Sequence, residues 1–209
     1  MGQAIQAHCK TLSDIQVNDF LAKEKNPNDV SAVIDFSSPE GFVDALRFCV
    51  KNKIPFISGT TGLSAKHLVD VTAAKKIIPI LIAPNMSLGI ANLKSSIEKY
   101  LISINTSVKC KIVEIHHTKK KDSPSGTALE IVKFLENFHA SKIDGLIDIK
   151  SYRIGNIFGI HRIEFQSEDG IINFQHIASS RDVFATGALK AARSINSMEI
   201  GEYSFADFL

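Results

Sequence analysis

Apolar residues change period repeatedly along the first third of the chain. Ala32-Val33-Ile34-Asp35-Phe36 is a short, nearly continuous apolar run, the pattern of a buried strand. Ser38 then stands where a helix cap belongs, Pro39 suits the first helical position, and Phe42, Leu46, Cys49 and Val50 recur at helical spacing. The unit repeats. Residues 54–58 predict a strand that runs into Gly59-Thr60-Thr61-Gly62, and Ser64 is placed to cap a helix over 65–76. Residues 77–82 predict a third strand, ending in Ala83-Pro84-Asn85. Before them, residues 2–10 suit a helix with Ala4, Ile5 and Ala7 as its apolar members. Residues 11–30 are polar and weakly patterned, and Asn26-Pro27-Asn28-Asp29 reads as a turn. Strands alternating with helices predict a parallel α/β sheet. Ligands of such sheets sit beyond the carboxyl ends of the strands, so the loops at 37–40, 59–62 and 83–86 become candidates.

The second half has a different rhythm. Residues 110–117 predict a strand and residues 125–139 a helix, with Ala128, Ile131, Val132, Leu135 and Phe138 on one side. Three β-like runs follow at 147–154, 160–167 and 171–178, the last two joined by Glu168-Asp169-Gly170 as a hairpin. Successive strands without intervening helices predict a mostly antiparallel sheet. Residues 184–197 are helical again. A domain boundary is expected near residues 85–90, with a return to the first domain near 180.

Composition narrows the class. The 209 residues are 44% hydrophobic and 22% charged, ordinary for a globular protein. A net charge of +2 calls for neither nucleic acid nor a membrane surface as partner. Cys9, Cys49 and Cys110 are odd in number and widely spaced, with no C-x-x-C, which argues against a disulfide framework or a zinc site and fits a reducing cytoplasm. The apolar run at 77–83 is too short to span a bilayer.

The densest polar stretch is Glu114-Ile-His116-His117-Thr-Lys-Lys120-Lys121-Asp122-Ser-Pro124-Ser125-Gly126-Thr127. On a strand, Glu114 and His116 share one face, so the carboxylate can orient or polarise the imidazole. The lysines fall in the following loop. Ser125-Gly126-Thr127 opens a helix, where backbone N–H groups attract anions. Each part alone has a plain reading: a structural histidine pair, a solvated turn, a helix cap. Together they suit one anionic substrate that must be held and protonated. A metal is disfavoured, because no carboxylate or cysteine completes a recognised ligand spacing. Gly59-Thr60-Thr61-Gly62 and Ala83-Pro84-Asn85-Met86, read alone, are a tight turn and a linker or hinge; the functional alternative for the glycine loop is close backbone approach to a cofactor.

Taken in order, these segments resemble the dihydrodipicolinate (4-hydroxy-tetrahydrodipicolinate) reductase family of bacterial lysine and diaminopimelate synthesis. The resemblance rests on Val33-Ile-Asp-Phe-Ser37-x-Pro39-Glu40, Gly59-Thr-Thr-Gly62, Ala83-Pro-Asn-Met-Ser87-x-Gly89, Glu114-Ile-His-His-x-x-Lys120-x-Asp122-x-Pro-Ser-Gly-Thr127 and Arg153-x-Gly155-x-x-x-Gly159-x-His161. It runs from about residue 32 onward, and the histidine segment is its most specific part. It implies a Rossmann-type nucleotide domain over 1–86 and 182–209, and a mixed α+β substrate and oligomerisation domain over 87–181 that builds a homotetramer. It also implies hydride transfer from NADPH or NADH to a cyclic unsaturated dicarboxylate. Carried over by motif position, His116 becomes the proton donor or acceptor and Lys120 the proton donor. His117, Gly126 and Thr127 become substrate binders. Gly59, Thr60 and Thr61, with Ala83, Pro84, Asn85 and Met86, become nicotinamide-side cofactor contacts. Arg181 and Phe184 lie where the chain returns towards the cofactor.

One segment departs from the family pattern. Members begin with a strand and a G-x-x-G-x-x-G-like phosphate loop, of which Met1-Gly2-Gln3-Ala4-Ile5 matches only the end. The nucleotide domain is therefore expected to be incomplete at its N-terminus, through a truncated reading of a longer gene. Asp14, Asp19 and Lys23 are the charged residues available for the ribose end, and none is singled out. The alternatives to the reductase are a non-catalytic dicarboxylate-binding or scaffold descendant with a degraded cofactor site, and another nicotinamide-dependent enzyme on the same scaffold.

Overall fold

The computed structural model of the chain describes residues 1–19, 26–139 and 141–209. Lys23 lies outside the described residues. The chain forms two compact units, Met1–Ser87 with Asp182–Leu209, and Leu88–Arg181.

The first unit is a parallel sheet with helices. Helix α1 (Gly2–Cys9) precedes strand β1 (Val33–Asp35), α2 (Pro39–Asn52), β2 (Phe56–Ser58), α3 (Ala65–Ala74) and β3 (Pro79–Ile82); α6 (Asp182–Ser194) and β8 (Gly201–Tyr203) complete it. The strand order is β1-β2-β3-β8, all pairs parallel, with Val33 opposite Phe56, Ile57 opposite Leu81 and Leu81 opposite Tyr203. Phe56, Ile57, Ile80 and Leu81 are fully buried. That is why their strands are apolar throughout rather than alternating. Phe42, Leu46 and Cys49 of α2 pack with Val33, Phe56 and Ile80 in one core. The capping chemistry follows the sequence: Ser38 accepts from Gly41 N–H, and Ser64 with His67 forms a capping box. β8 was not foreseen. Three residues are too few to show a period, and only pairing with β3 makes them a strand.

The second unit contains α4 (Leu88–Ser103), β4 (Lys109–His116), α5 (Gly126–Leu135), β5 (Asp148–Arg153), β6 (Gly159–Ser167) and β7 (Gly170–Ala178). Its sheet order is β5-β4-β6-β7; β4 and β5 are parallel and the other two pairings antiparallel. The sheet is therefore mixed. Helix α4, unassigned in the sequence reading, buries Ile90, Leu93, Ile97 and Leu101, a spacing of three and four residues that marks one helical face. These side chains join Cys110, Ile112, Ile131, Leu135, Ile163 and Phe165 in the core of this unit. The three cysteines are free and buried, and burial pushes the Cys49 and Cys110 thiols up to about 12, which removes thiolate reactivity at neutral pH. No helix among the described residues is long and apolar enough to cross a membrane.

Candidate active site

Strand alternation places Cys110, Ile112, Glu114 and His116 on one face of β4. The first two are core residues, and the last two continue that buried face at the carboxyl end of the strand. The register supplies their neighbours. Glu114 lies opposite Ser151 on β5 and His161 on β6, and His161 lies opposite His176 on β7. One step further along, His116 lies opposite Arg153.

Glu114 is fully buried. One carboxylate oxygen receives His116 Nδ1. The other is 2.9 Å from an Arg153 guanidinium nitrogen and accepts from Ser125 N–H at 3.2 Å. Burial works to raise the Glu114 pKa, but hydrogen bonds from His116, Arg153 and Ser151 outweigh it and hold the carboxyl down at about 2. An ionised acceptor on Nδ1 fixes the His116 tautomer with its proton there, so Nε2 is the nitrogen left to exchange a proton. Gly159 makes room for that edge of the ring: a Cβ there would sit 3.0 Å from Nε2.

His161 is edge-on to His116, with ring centroids 5.1 Å apart, and its Nε2 is 3.2 Å from Ser125 Oγ. Burial first, and the His116 charge second, push its pKa down to about 3. It stays neutral at working pH. Glu114, His116 and His161 each offer a ligand atom, and these atoms lie within 4.8 Å of one another. However, the Arg153 cation already sits on the same carboxylate, and a second positive charge there would be repelled.

These two shifts have a stability consequence. His161 has an ordinary pKa of 6.5 when unfolded and about 3 when folded. Between those values the unfolded chain binds the extra proton, so stability falls as pH drops below 6.5. Glu114 acts in the same direction below its ordinary 4.5, its contribution being lost as pH falls towards 2. Going from pH 7 to pH 4.5 is expected to cost the protein roughly 2–3 kcal/mol through His161. In His161→Gln that pH-dependent part should vanish, as read from urea midpoints at the two pH values. An equal loss in both proteins would refute it.

The loop after β4 holds the lysines. Lys120 Nζ is 2.9 Å from Asp122 Oδ1, with the lysine side chain 22% exposed. Burial works to raise the Asp122 carboxyl, but Lys120, then the backbone N–H groups of Asp122 itself and of Gly126, hold it low. The start of α5 is thus already in use by the chain's own acids, Gly126 by Asp122 and Ser125 by Glu114. Ser125 Oγ also accepts from Ala128 N–H. Thr127 is buried at the same turn. His117 is half-buried; burial, then the Arg181, His116, Lys120 and Lys119 charges, lower its pKa. Its Nδ1 has no hydrogen-bond partner among the described residues. The structure therefore brings His116, His117, Lys120, Gly126 and Thr127 to one end of the second unit. Arg153 and His161 entered the sequence reading only as motif letters, because pairing register alone reveals what they touch.

The first unit contributes three strand-end loops. Asp35, at the end of β1, accepts from Ser37 Oγ and N–H, from Ser58 Oγ at 2.7 Å and from Thr60 Oγ1 at 2.7 Å. One buried carboxylate thereby fixes the ends of β1 and β2. Gly59 has an internal reason for being glycine: a Cβ would fall 2.0 Å from the Phe36 ring. Thr60 is buried, whereas Thr61 and Gly62 are exposed, Gly62 with φ +78°. In the third loop Ala83, Asn85 and Met86 are buried and Pro84 is exposed; Asn85 Oδ1 accepts from Ser87 N–H at 2.7 Å. Asp14 forms a two-pronged pair with Arg193 at 2.9 and 3.1 Å, and Asp19 is exposed.

A parallel α/β unit followed by a mixed-sheet unit is the build of a Rossmann-type oxidoreductase. Solved structures of similar fold include a dipicolinate-bound dihydrodipicolinate reductase from Paenisporosarcina sp. TG-14, with TM-score 0.64 and 20% identity, covering 83% of this chain and 71% of that one. An aspartate dehydrogenase from Thermotoga maritima has TM-score 0.52 and 15% identity, covering 94% of each chain. The family model for the N-terminal part of dihydrodipicolinate reductase matches residues 1–86, and that for the C-terminal part matches 89–209. The 4-hydroxy-tetrahydrodipicolinate reductase of Alkaliphilus oremlandii is 35% identical over 206 residues, covering 92% of this chain and 86% of the relative. That of Campylobacter lari is 39% identical over 199 residues, covering 87% and 81%. The chain belongs to the dihydrodipicolinate reductase family.

Proposed function

We propose that this chain reduces 4-hydroxy-tetrahydrodipicolinate to tetrahydrodipicolinate with a reduced nicotinamide cofactor, NADPH or NADH, as a step towards diaminopimelate and lysine in the cytoplasm. The carrying observation is the buried Glu114–His116 pair beside Lys120, Gly126 and Thr127. The cofactor supplies hydride, the part of the reaction that side chains cannot. The residues of this chain supply the rest. The 4-hydroxyl leaves as water, hydride adds at carbon, and the balance consumes one proton at a second atom; His116 Nε2 and Lys120 Nζ are the two groups able to carry it. His117 Nδ1, with no hydrogen-bond partner among the described residues, and the first turn of α5, through Gly126 and Thr127, suit the substrate carboxylates. To bind there, a dicarboxylate exchanges places with Asp122 on Lys120 and Gly126.

On the first unit, Met1–Ser87 with Asp182–Leu209, the dinucleotide role falls to the strand-end loops. In the loop of Gly59, Thr60 and Thr61, the first two are held by Asp35; in that of Ala83, Pro84, Asn85 and Met86, Ala83 N–H donates to the Ser58 carbonyl at 2.9 Å and Asn85 accepts from Ser87 N–H. This set fits the nicotinamide end, because it presents fixed backbone with exposed Thr61, Gly62 and Pro84. The second unit, Leu88–Arg181, takes the substrate and the oligomer contacts. Tyr152, Ile171 and Ile177 stand 47%, 59% and 58% exposed on its sheet, a pattern suited to a homotetramer. Dipicolinate, a stable pyridine dicarboxylate, should bind the protein measurably by calorimetry. Lys120→Ala and Thr127→Ala should each weaken it at least tenfold. Binding unaffected by both would place the substrate elsewhere.

A further inference from the structure

We propose that Arg153 is a positioning residue that locks His116 and the Lys120 loop into one rigid unit. The inference rests on the reductase reading and adds to it a residue that touches neither substrate nor cofactor in that reading.

Four observations carry it. Arg153 is the β5 residue opposite His116 in the parallel register, and Ile154 N–H donates to the His116 carbonyl at 2.7 Å. One guanidinium nitrogen is 2.9 Å from Glu114 Oε1, while the other oxygen of that carboxylate holds His116 Nδ1. The same nitrogen donates to the Asp122 carbonyl, and the Asp122 side chain pairs with Lys120 at 2.9 Å. A second guanidinium nitrogen donates to the Tyr152 carbonyl at 2.8 Å, which fixes the fork. One largely buried side chain thus braces the carboxylate behind one proton carrier and the main chain behind the other. A lysine could not do both, because its ammonium is a single point without a planar fork.

Removing the guanidinium has a definite chemical effect. Glu114 is faced by His116 on its own strand, by Ser151 and Arg153 on β5, by His161 on β6 and by the Ser125 N–H at the start of α5. His176 lies beyond His161, and Lys120 and Asp122 lie in the adjoining loop. Among the described residues touching the Glu114 carboxylate, only Arg153 carries a permanent charge. Without it, the buried carboxyl takes up a proton at higher pH. The carboxylate also loses its brace from the β5 side, so the acceptor on His116 Nδ1 is no longer fixed and neither is the tautomer.

The test uses the full chain with Arg153→Lys and Arg153→Met, assayed with reduced nicotinamide cofactor and 4-hydroxy-tetrahydrodipicolinate across pH 5–9. In Arg153→Met, kcat at pH 7 should fall about 100-fold while KM moves less than about threefold, and the acid limb of kcat should shift upward by about one pH unit or more. Arg153→Lys should lose about tenfold and keep the acid limb of the parent. Cofactor affinity, read by fluorescence titration, should stay unchanged in both. Nitrogen NMR should show the His116 proton on Nδ1 in the parent and a tautomer mixture in Arg153→Met. A kcat loss that is uniform across pH with an unchanged tautomer would reduce Arg153 to a structural part, as would no loss at all. If Arg153→Met does not fold, Arg153→Lys decides: full activity overturns the proposal. If the parent itself does not turn over, the reductase reading fails separately, and the tautomer measurement alone decides the role of Arg153.

Discussion

His116→Ala is expected to lower kcat by about 10²–10⁴-fold, the usual worth of a positioned proton carrier. The fold should survive, because Glu114 keeps Arg153 and the Ser125 N–H as partners when the imidazole is gone. Lys120→Ala is expected to cost a similar factor in kcat and also to raise KM, since in the proposed reaction its ammonium takes a substrate carboxylate as well. The double variant should be little worse than the poorer single one, as happens when groups act as a unit. Stopped-flow and steady-state kinetics on the three proteins measure this. Single variants that stay within a few-fold of the parent would remove both residues from the chemistry.

Gly187→Ala should produce the largest loss of stability. Glycine within a helix normally costs about 1 kcal/mol relative to alanine, so the swap would ordinarily help. Here a Cβ on α6 would fall 1.7 Å from the Met86 carbonyl oxygen and 2.9 Å from the Phe205 ring. A backbone oxygen cannot swing aside as a side-chain tip can. The Ala83–Met86 loop and α6 must part, at a cost of about 3 kcal/mol or more. That corresponds to a fall in Tm of roughly 6–12 °C for a chain of this size. Gly2→Ala on α1 has nothing within 4 Å and serves as the control, with an unchanged or slightly raised Tm. Equal melting of the two variants would show that α6 and the Met86 carbonyl leave room for a methyl group.

Much of this architecture can be read along the chain, because short-range rules set it. Ser38-Pro39 opens α2 as capping chemistry requires, and apolar runs without alternation form the covered parallel strands. The polar constellation at 114–127 stood out by density alone, and two-residue periodicity already put Glu114 and His116 on one face. What could not be read depends on partners distant in sequence. Arg153 follows Glu114 by 39 positions and His161 by 47, and only the β5-β4-β6 pairing brings them together. The role of Asp35 likewise depends on the register that places Ser58 beside it. The lack of room for a Cβ at Gly59 comes from the Phe36 ring, a contact that the loop sequence alone does not display. Helix α4 was a missed period and not an illegible one: Ile90, Leu93, Ile97 and Leu101 carry the signal openly.

The proposed reaction is turnover of one cyclic dicarboxylate with proton delivery from the β4 end. The direct measurement is the loss of NAD(P)H absorbance on mixing the purified chain with the fresh product of dihydrodipicolinate synthase. Oxidation that requires that product and collapses in His116→Ala is the predicted result. No product-dependent oxidation with either NADH or NADPH, by a folded protein that binds both ligands, would overturn the proposed reaction.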